Sequence, residues 1–299
     1  MKRGCYLQDE VAEFTEWLAE RLCGLPINFS LSGHDKQYRT LYEALRAYSW
    51  PLKTVAGRPN PDNGYPYVHP VVAPLPPKST LATNTGVLDV IQRALRSAYK
   101  GGPSQSNELT GAVAAILHWG GVYTTTKHGG NKPWLATNHP HLLSILQAVV
   151  NDHARNDDCS KVPNLRFNSG MTKVYSLLID NFIIYDSRVA ASLAWLALSW
   201  WTSVKGQPKG KLPPHLRFGC LAGNGKTFGY RNPDKAVFKT LSAHPHEHYA
   251  WNVRANWLLD SAQELAGEES QFGSLREIEA ALFQMGERVV GRSACSTID

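Results

Sequence analysis

The stretch Asn168–Val189, NSGMTKVYSLLIDNFIIYDSRV, decides how this 299-residue chain reads. Asn168, Ser169 and Gly170 make a turn of small or polar residues ahead of Thr172 and Lys173. A short apolar run follows (Val174, Tyr175, Leu177, Leu178, Ile179) and breaks at Asp180–Asn181. Ile183, Ile184 and Tyr185 then deliver Asp186, and beyond Ser187–Arg188 a long apolar helix begins. The pattern is turn, helix, turn, helix. Asp186 stands where an N-cap belongs, its carboxylate facing free backbone N–H groups. Lys173 stands in the first turn of the earlier helix, where a cation opposes the helix macrodipole. A lysine that gives up its proton beside a carboxylate is a nucleophile. The same residues describe equally well a surface lysine and an ordinary aspartate cap.

Working outward, the N-terminal part predicts a helix over 9–23, with Val11, Phe14, Leu18 and Leu22 on one face. A second is expected over 36–48, with Tyr38, Leu41, Tyr42, Leu45 and Tyr48 on its stripe. Prolines 51, 59, 61, 66, 70, 74, 76 and 77 preclude a regular helix between them, leaving a long loop or connector. Helical spacing resumes over 87–98 and 108–119, the latter ending at Trp119–Gly120–Gly121. The polar, glycine-bearing loop 122–133, which includes Asn131, suits insertion into a duplex and suits a plain surface loop equally. Pro140 opens the next helix, with Asn138 as its expected cap.

After a helix from Ser187 to about Val204, the basic stretch 205–235 is a candidate phosphate-contacting region, or a solvated loop. Cys220–Thr227 imitates a P-loop but has cysteine where the first glycine is required. In His244–Pro245–His246–Glu247–His248 the proline and the spacing argue against a metal cluster and for the start of a helix over 246–265. Tyr249, Val253 and Trp257 form the stripe of that helix, and the run His248–Leu259 reads as structural or pocket-lining. A capping box at Ser274 and Glu277 opens the last helix. No strand-type alternation dominates, so the class is mainly α.

Composition bounds the function. A formal charge of +6 fits a polyanionic partner, and 43% hydrophobic residues is ordinary for a globular chain. The five cysteines are scattered and lack any Cys-x-x-Cys, which points to reduced thiols and away from a zinc ribbon or iron–sulfur cluster. The longest uncharged run, Val189–Val204, is too short for a bilayer span, so no membrane association is expected. A cytoplasmic location is expected, since the scattered cysteines suit reduced thiols and Met1–Cys5 soon turns acidic, unlike a secretory signal.

With Gly170–Met171–Thr172–Lys173 at the exit of the turn and Asp186 within Ile184–Val189, the chain resembles the helix-hairpin-helix DNA glycosylases, most closely the bacterial 8-oxoguanine glycosylase-like group. The likeness is strongest over 105–260 and takes in Ala115–Gly121. Two features differ. Phe167–Asn168–Ser169–Gly170 replaces the family's Leu-Pro-Gly-Val-Gly hairpin, and Lys173 lies closer to Asp186 in sequence than in the eukaryotic members. The resemblance implies a two-lobed helix-hairpin-helix fold, with residues 1–104 as an N-terminal helical region and 105–299 as the glycosylase core. It implies a monomer, nucleoid-associated in a bacterium, whose partner is double-stranded DNA carrying a modified base. No cofactor and no metal are expected.

The implied chemistry begins with extrusion of the base, because its C1′ is inaccessible inside the stack. Asp186 stabilises an oxocarbenium-like transition state, and Lys173 attacks C1′ to give a Schiff base that permits strand cleavage. Arg166, Asn168, Ser169, Gly170, Thr172, Arg188, Asn131 and Arg231 are the expected DNA contacts. Trp119, Tyr185, Trp251 and Trp257 are candidates to stack on the flipped base, and each reads equally as a core aromatic. Oxidised guanine is the family's default substrate. A phage-type hypermodified base, removed as antiviral defence, is the other. The competing class is a non-catalytic DNA-binding module that keeps the hairpin for phosphate contact.

Overall fold

The structure is a computed structural model that describes residues 1–31, 37–50, 79–124, 130–221, 230–241 and 244–290. The proline-rich segment 51–77, the loop residues 125–129, the P-loop-like run beyond Leu221 and the tail from Gly291 lie outside the described residues. In chain order the elements are α1 (Arg3–Tyr6), α2 (Asp9–Leu22), β1 (Phe29–Ser30), β2 (Gln37–Tyr38), α3 (Leu41–Arg46), α4 (Leu81–Gly101), α5 (Ser106–Trp119) and α6 (Asn131–Asn138). They continue with α7 (Leu142–His153), α8 (Met171–Leu178), α9 (Ser187–Ser199), β3 (Cys220–Leu221), β4 (Thr240–Leu241), α10 (Pro245–Ala266) and α11 (Leu275–Met285). The protein is mainly helical. Among the described residues, sheet is limited to an antiparallel β1–β2 pair and a parallel β3–β4 pair. No helix among them is long and apolar enough to cross a membrane.

Caps explain where the helices begin. The helix expected over 36–48 is shorter than its apolar spacing suggested. Thr40 accepts from the Glu43 N–H and Glu43 accepts from the Arg39 N–H, a reciprocal pair that starts α3 at Leu41 and leaves Tyr38 in β2. At Thr80 the same kind of cap extends α4 upstream of the expected Val87. Asn138 does not cap α7. Its amide donates back to the Trp134 carbonyl, and a 3₁₀ turn through Pro140 leads into Leu142 instead. Helix α6 was not foreseen, because its polar residues carry no apolar stripe. The Ser274–Glu277 box opens α11 as expected.

The chain divides into two compact units. The first comprises Met1–Tyr48, Asn156–Ser160 and Ile183–Asp299; the second comprises Ser49–Arg155 and Lys161–Phe182. The 104/105 division expected from sequence falls inside the second unit, at the Gly-Pro break between α4 and α5. That break ends one helix, but α5 folds straight back onto α4. In the second unit α5 is the hub, buried from Leu109 to Leu117 and packed by α4, α6, α7 and α8. In the first unit α9 is buried from Val189 to Ala194 and packs on α11 and β3, while α10 packs on α2. Phe14, Leu18 and Leu22 of α2 are fully buried there, each contributing about 1.5–3 kcal/mol by removal from water.

The excursion Asn156–Ser160 is held in the first unit by the chain's first residue. The α-ammonium of Met1 donates to Asp158 at 2.6 Å and Asp157 at 3.0 Å, and Lys2 bridges to Asp157 through the backbone. Burial alone would raise the Asp158 carboxyl, but the ammonium and the Arg254 guanidinium at 2.5 Å hold it below its usual range. Hydrogen bonds from Met1 to Asp158 and then Asp157 raise the ammonium to about 10, and the Cys159 N–H followed by the ammonium lowers Asp157 to about 2. The ammonium's folded value lies above its unfolded value of 8.0, so its contribution is complete below pH 8 and lost between pH 8 and about 10. For Asp157 the contribution is complete above pH 3.8 and lost on acidification toward about 2. Thermal melting of the chain beginning at Met1 is therefore expected to fall between pH 8 and 10. A chain N-acetylated at Met1 starts lower and loses that alkaline step; an unchanged step after acetylation would refute the clamp.

Candidate functional site

In the second unit the site is built from the turn ahead of α8. The Asn168 side-chain oxygen accepts from the N–H groups of Gly170 and Met171, both at 2.9 Å, and so answers two of the donors free at the helix start. Its amide donates to Asn131 Oδ1 at 2.9 Å, which also accepts from the Arg166 guanidinium at 3.2 Å. Asn131 in turn donates to the Val122 carbonyl. Asn131 is therefore a buried strut, 6% exposed, tying α6, the 122 turn and the Asn168 turn into one piece. It was expected in a loop reaching for DNA, and its bonds to Val122, Arg166 and Asn168 are all internal to this unit. Arg166 lies over the Trp134 ring at 5.5 Å, and burial lowers its pKa.

Lys173 is third in α8 and only 5% exposed. Its amine donates to the Ser169 carbonyl at 2.8 Å, so the side chain turns back over the same turn that Asn168 organises. Two glycines make the space. A Cβ on Gly120 would lie 2.5 Å from Lys173 Cδ and 2.9 Å from Cε, so the lysine stem runs across the end of α5 where a side chain is missing. A Cβ on Gly170 would collide with the Asn131 amide and with Leu117. Trp119, beside Gly120, is a hydrogen-bonded core residue. Its indole donates to Asn84, and its carbonyl accepts from the Trp50 indole.

In the first unit Asp186 caps α9 as its position predicts. It is 7% exposed, and one carboxylate oxygen accepts from Arg188 N–H at 2.9 Å and Val189 N–H at 3.3 Å. Arg188 stacks on the Phe283 ring at 4.3 Å. Arg231 donates to the Ser187 hydroxyl at 2.7 Å, and burial, then the Arg188 charge, lowers its pKa. Gly286 brings the end of α11 against the first turn of α9, where any Cβ would strike the Arg188 carbonyl. Tyr185 is fully buried with its hydroxyl on the Gly219 carbonyl, and burial drives its pKa well up. Trp257 is buried against Tyr6, whereas Trp251 keeps partial exposure beneath the Arg254 guanidinium. The indoles and phenol expected to stack on a base thus have core surroundings, Trp251 least so.

The structure gathers Arg166, Asn131, Asn168, Ser169, Gly170, Thr172 and Lys173 in one cluster, and Asp186, Arg188 and Arg231 at another helix start. Lys173 belongs to the second unit and Asp186 to the first. In the basic stretch, Lys205 pairs with Glu13, Lys209 with Asp234, and Arg217 bonds the Leu212 and Gly210 carbonyls. The space at Gly120 was missed from sequence; the Trp119–Gly120–Gly121 run was its only signal. No known protein family, curated protein or solved structure matches the chain.

The two glycines should respond differently to alanine. Gly170→Ala meets a fixed amide and a core leucine and is expected to cost about 1–3 kcal/mol in denaturant unfolding. Gly120→Ala meets a flexible lysine stem and is expected to cost less than half as much. Equal costs would show that the Lys173 stem is as rigidly held as the Asn131 strut.

Proposed function

We propose that the chain is a DNA N-glycosylase that extrudes a modified base from double-stranded DNA and breaks its N-glycosidic bond. In this reading Lys173 is the nucleophile and Asp186 is the carboxylate that faces the reacting sugar. The observation that carries it is the scaffold spent on Lys173: a buried lysine threaded past a glycine, its amine fixed by the carbonyl of a turn whose own N–H groups Asn168 has already capped. An ordinary surface lysine needs none of this. Asp186, held by two N–H bonds at the start of α9, keeps one oxygen engaged with the helix and supplies negative charge for an oxocarbenium-like sugar.

The chemistry is that of the resemblance. The deprotonated amine attacks C1′, and the C1′–N bond breaks with its electron pair leaving on the base, which takes up a proton. Opening of the sugar ring gives a Schiff base at C1′, and loss of the C2′ proton expels the 3′ phosphate. Water then hydrolyses the Schiff base and restores the amine. The net charge of +6 supports a polyanionic partner. The substrate is oxidised guanine or a hypermodified base of the phage type, which would make the protein an antiviral defence in a bacterial cytoplasm.

The Ser169 bond to the Lys173 amine also favours a second reading, a non-catalytic DNA-binding module in which the lysine is structural. Duplexes carrying uracil, 8-oxoguanine or phage-type modified pyrimidines, assayed side by side for released base, separate the two. On the glycosylase reading, borohydride traps a protein–DNA adduct and Lys173→Gln abolishes it. Asp186→Asn slows base release about 10²-fold or more while the melting temperature changes little. Unchanged duplex affinity with no base released from any of the three substrates would establish the module instead.

A further inference from the structure

The segment Ile183–Tyr185 that leads into Asp186 is buried, and it belongs to neither of the two strand pairs among the described residues. Its backbone is met by side chains. The Ile183 N–H donates to Asn256 Oδ1 at 2.9 Å, and the Ile183 carbonyl accepts from Asn252 Nδ2 at 3.1 Å. The Ile184 N–H donates to Glu279 Oε2 at 2.7 Å, an oxygen that also accepts from Arg276. The Tyr185 carbonyl accepts from His248 Nε2 at 2.7 Å, which fixes the proton on that nitrogen because a carbonyl has none to give. His248, Asn252 and Asn256 are spaced by four, one polar face of α10 running beside the segment.

We propose that His248, Asn252, Asn256 and Glu279 are positioning residues for Asp186, forming a side-chain ladder that sets the register of the segment before it. The proposal rests on the glycosylase reading for its functional consequence. All four residues are buried and bonded to the backbone of the segment; an apolar face on α10 would cover the two isoleucines but leave those N–H and C=O groups unpaired. What an apolar face cannot do is define register. A slip of one residue turns every side chain of an extended segment to the opposite face. Here, with α9 packed on α11, it would shift Asp186 relative to the first turn of α9 and strain both of its N–H contacts. Donors and acceptors alternate along the ladder, so a slip of one residue mismatches its contacts.

The test compares one substitution at two rungs of opposite polarity in the full chain. Asn256→Asp keeps an acceptor for the Ile183 N–H, whereas Asn252→Asp removes the donor to the Ile183 carbonyl and sets two oxygens face to face. Both bury one added charge in the same layer, so their difference reads bond direction rather than stability. Amide exchange at Arg188 and Val189 reports the Asp186 cap. Single-turnover base release and duplex affinity, measured on the three duplexes named above, report the reaction. Asn252→Asp is expected to speed exchange at both amides by about tenfold and to slow base release by a similar factor, with duplex affinity within about twofold. Asn256→Asp should keep most of the protection and most of the rate.

Equal losses in the two variants, or protection at Arg188 and Val189 that ignores Asn252→Asp, would overturn the proposal. Should Asn252→Asp not fold, His248→Gln against His248→Leu makes the same comparison at the Tyr185 carbonyl, since glutamine retains an N–H and leucine does not. If the unsubstituted chain releases no base, the glycosylase reading fails, and the exchange measurements still decide the ladder.

Discussion

A buried backbone N–H or C=O has to find a partner, and among the described residues that work falls to side chains at helix starts and in the segment before α9. Asn168 answers the start of α8, Asp186 the start of α9, and Thr40, Thr80 and Ser274 three further helices. The stretch from Ile183 to Tyr185 extends the same principle beyond helix ends. It runs through the core as a strand would, with asparagine, histidine and glutamate standing in for a neighbouring strand. Each partner is directional, so satisfying the backbone also fixes the direction in which the next side chain points. That is how a general requirement of folding becomes local precision at two ionisable residues.

Space is the other half of the arrangement. Gly170 lets the Asn131 amide reach the turn, Gly120 opens a path for the lysine stem, and Gly286 lets the end of α11 touch the first turn of α9. Gly120 and Gly286 have ordinary negative φ angles, so neither is there for backbone freedom. They matter because the neighbouring group arrives where a methyl would be. A capped turn without such space would hold Lys173 differently, and the space without the cap would leave the turn undefined.

Much of this was legible in the sequence, and the reasons are local. Thr or Ser followed three residues on by Glu marks a helix start, and an aspartate between an apolar tripeptide and an apolar helix marks a cap. Apolar spacing found α2, α5, α10 and α11 because a packed face repeats every three to four residues. What the sequence hid was long-range. Nothing near Asn131 says that its partners are Arg166 and Asn168, more than thirty residues away. The stripe of His248, Asn252 and Asn256 was in plain view at helical spacing. From sequence the run reads as structural or pocket-lining, but the backbone that its polar residues meet is not legible, because polar residues on a helix ordinarily face water. A polar stripe bordering an apolar one is the signal, and it becomes readable only once a buried segment without a strand partner is known to exist.

The two helix starts also differ in a way that bears on chemistry. The turn beside Lys173 is capped by a neutral side chain, and the start of α9 by a charged one. Swapping them would be costly to the proposed reaction in both places. An aspartate at 168 would set a carboxylate within the same turn as the amine and hold it in an ion pair away from the sugar of the proposed reaction. An asparagine at 186 would still accept from the helix N–H groups and leave α9 intact, but would bring no charge to a developing oxocarbenium ion. Helix stability alone is nearly indifferent between asparagine and aspartate at such positions. The distribution found here keeps residue 168 neutral beside the amine and a charge at Asp186 for the proposed reaction to use.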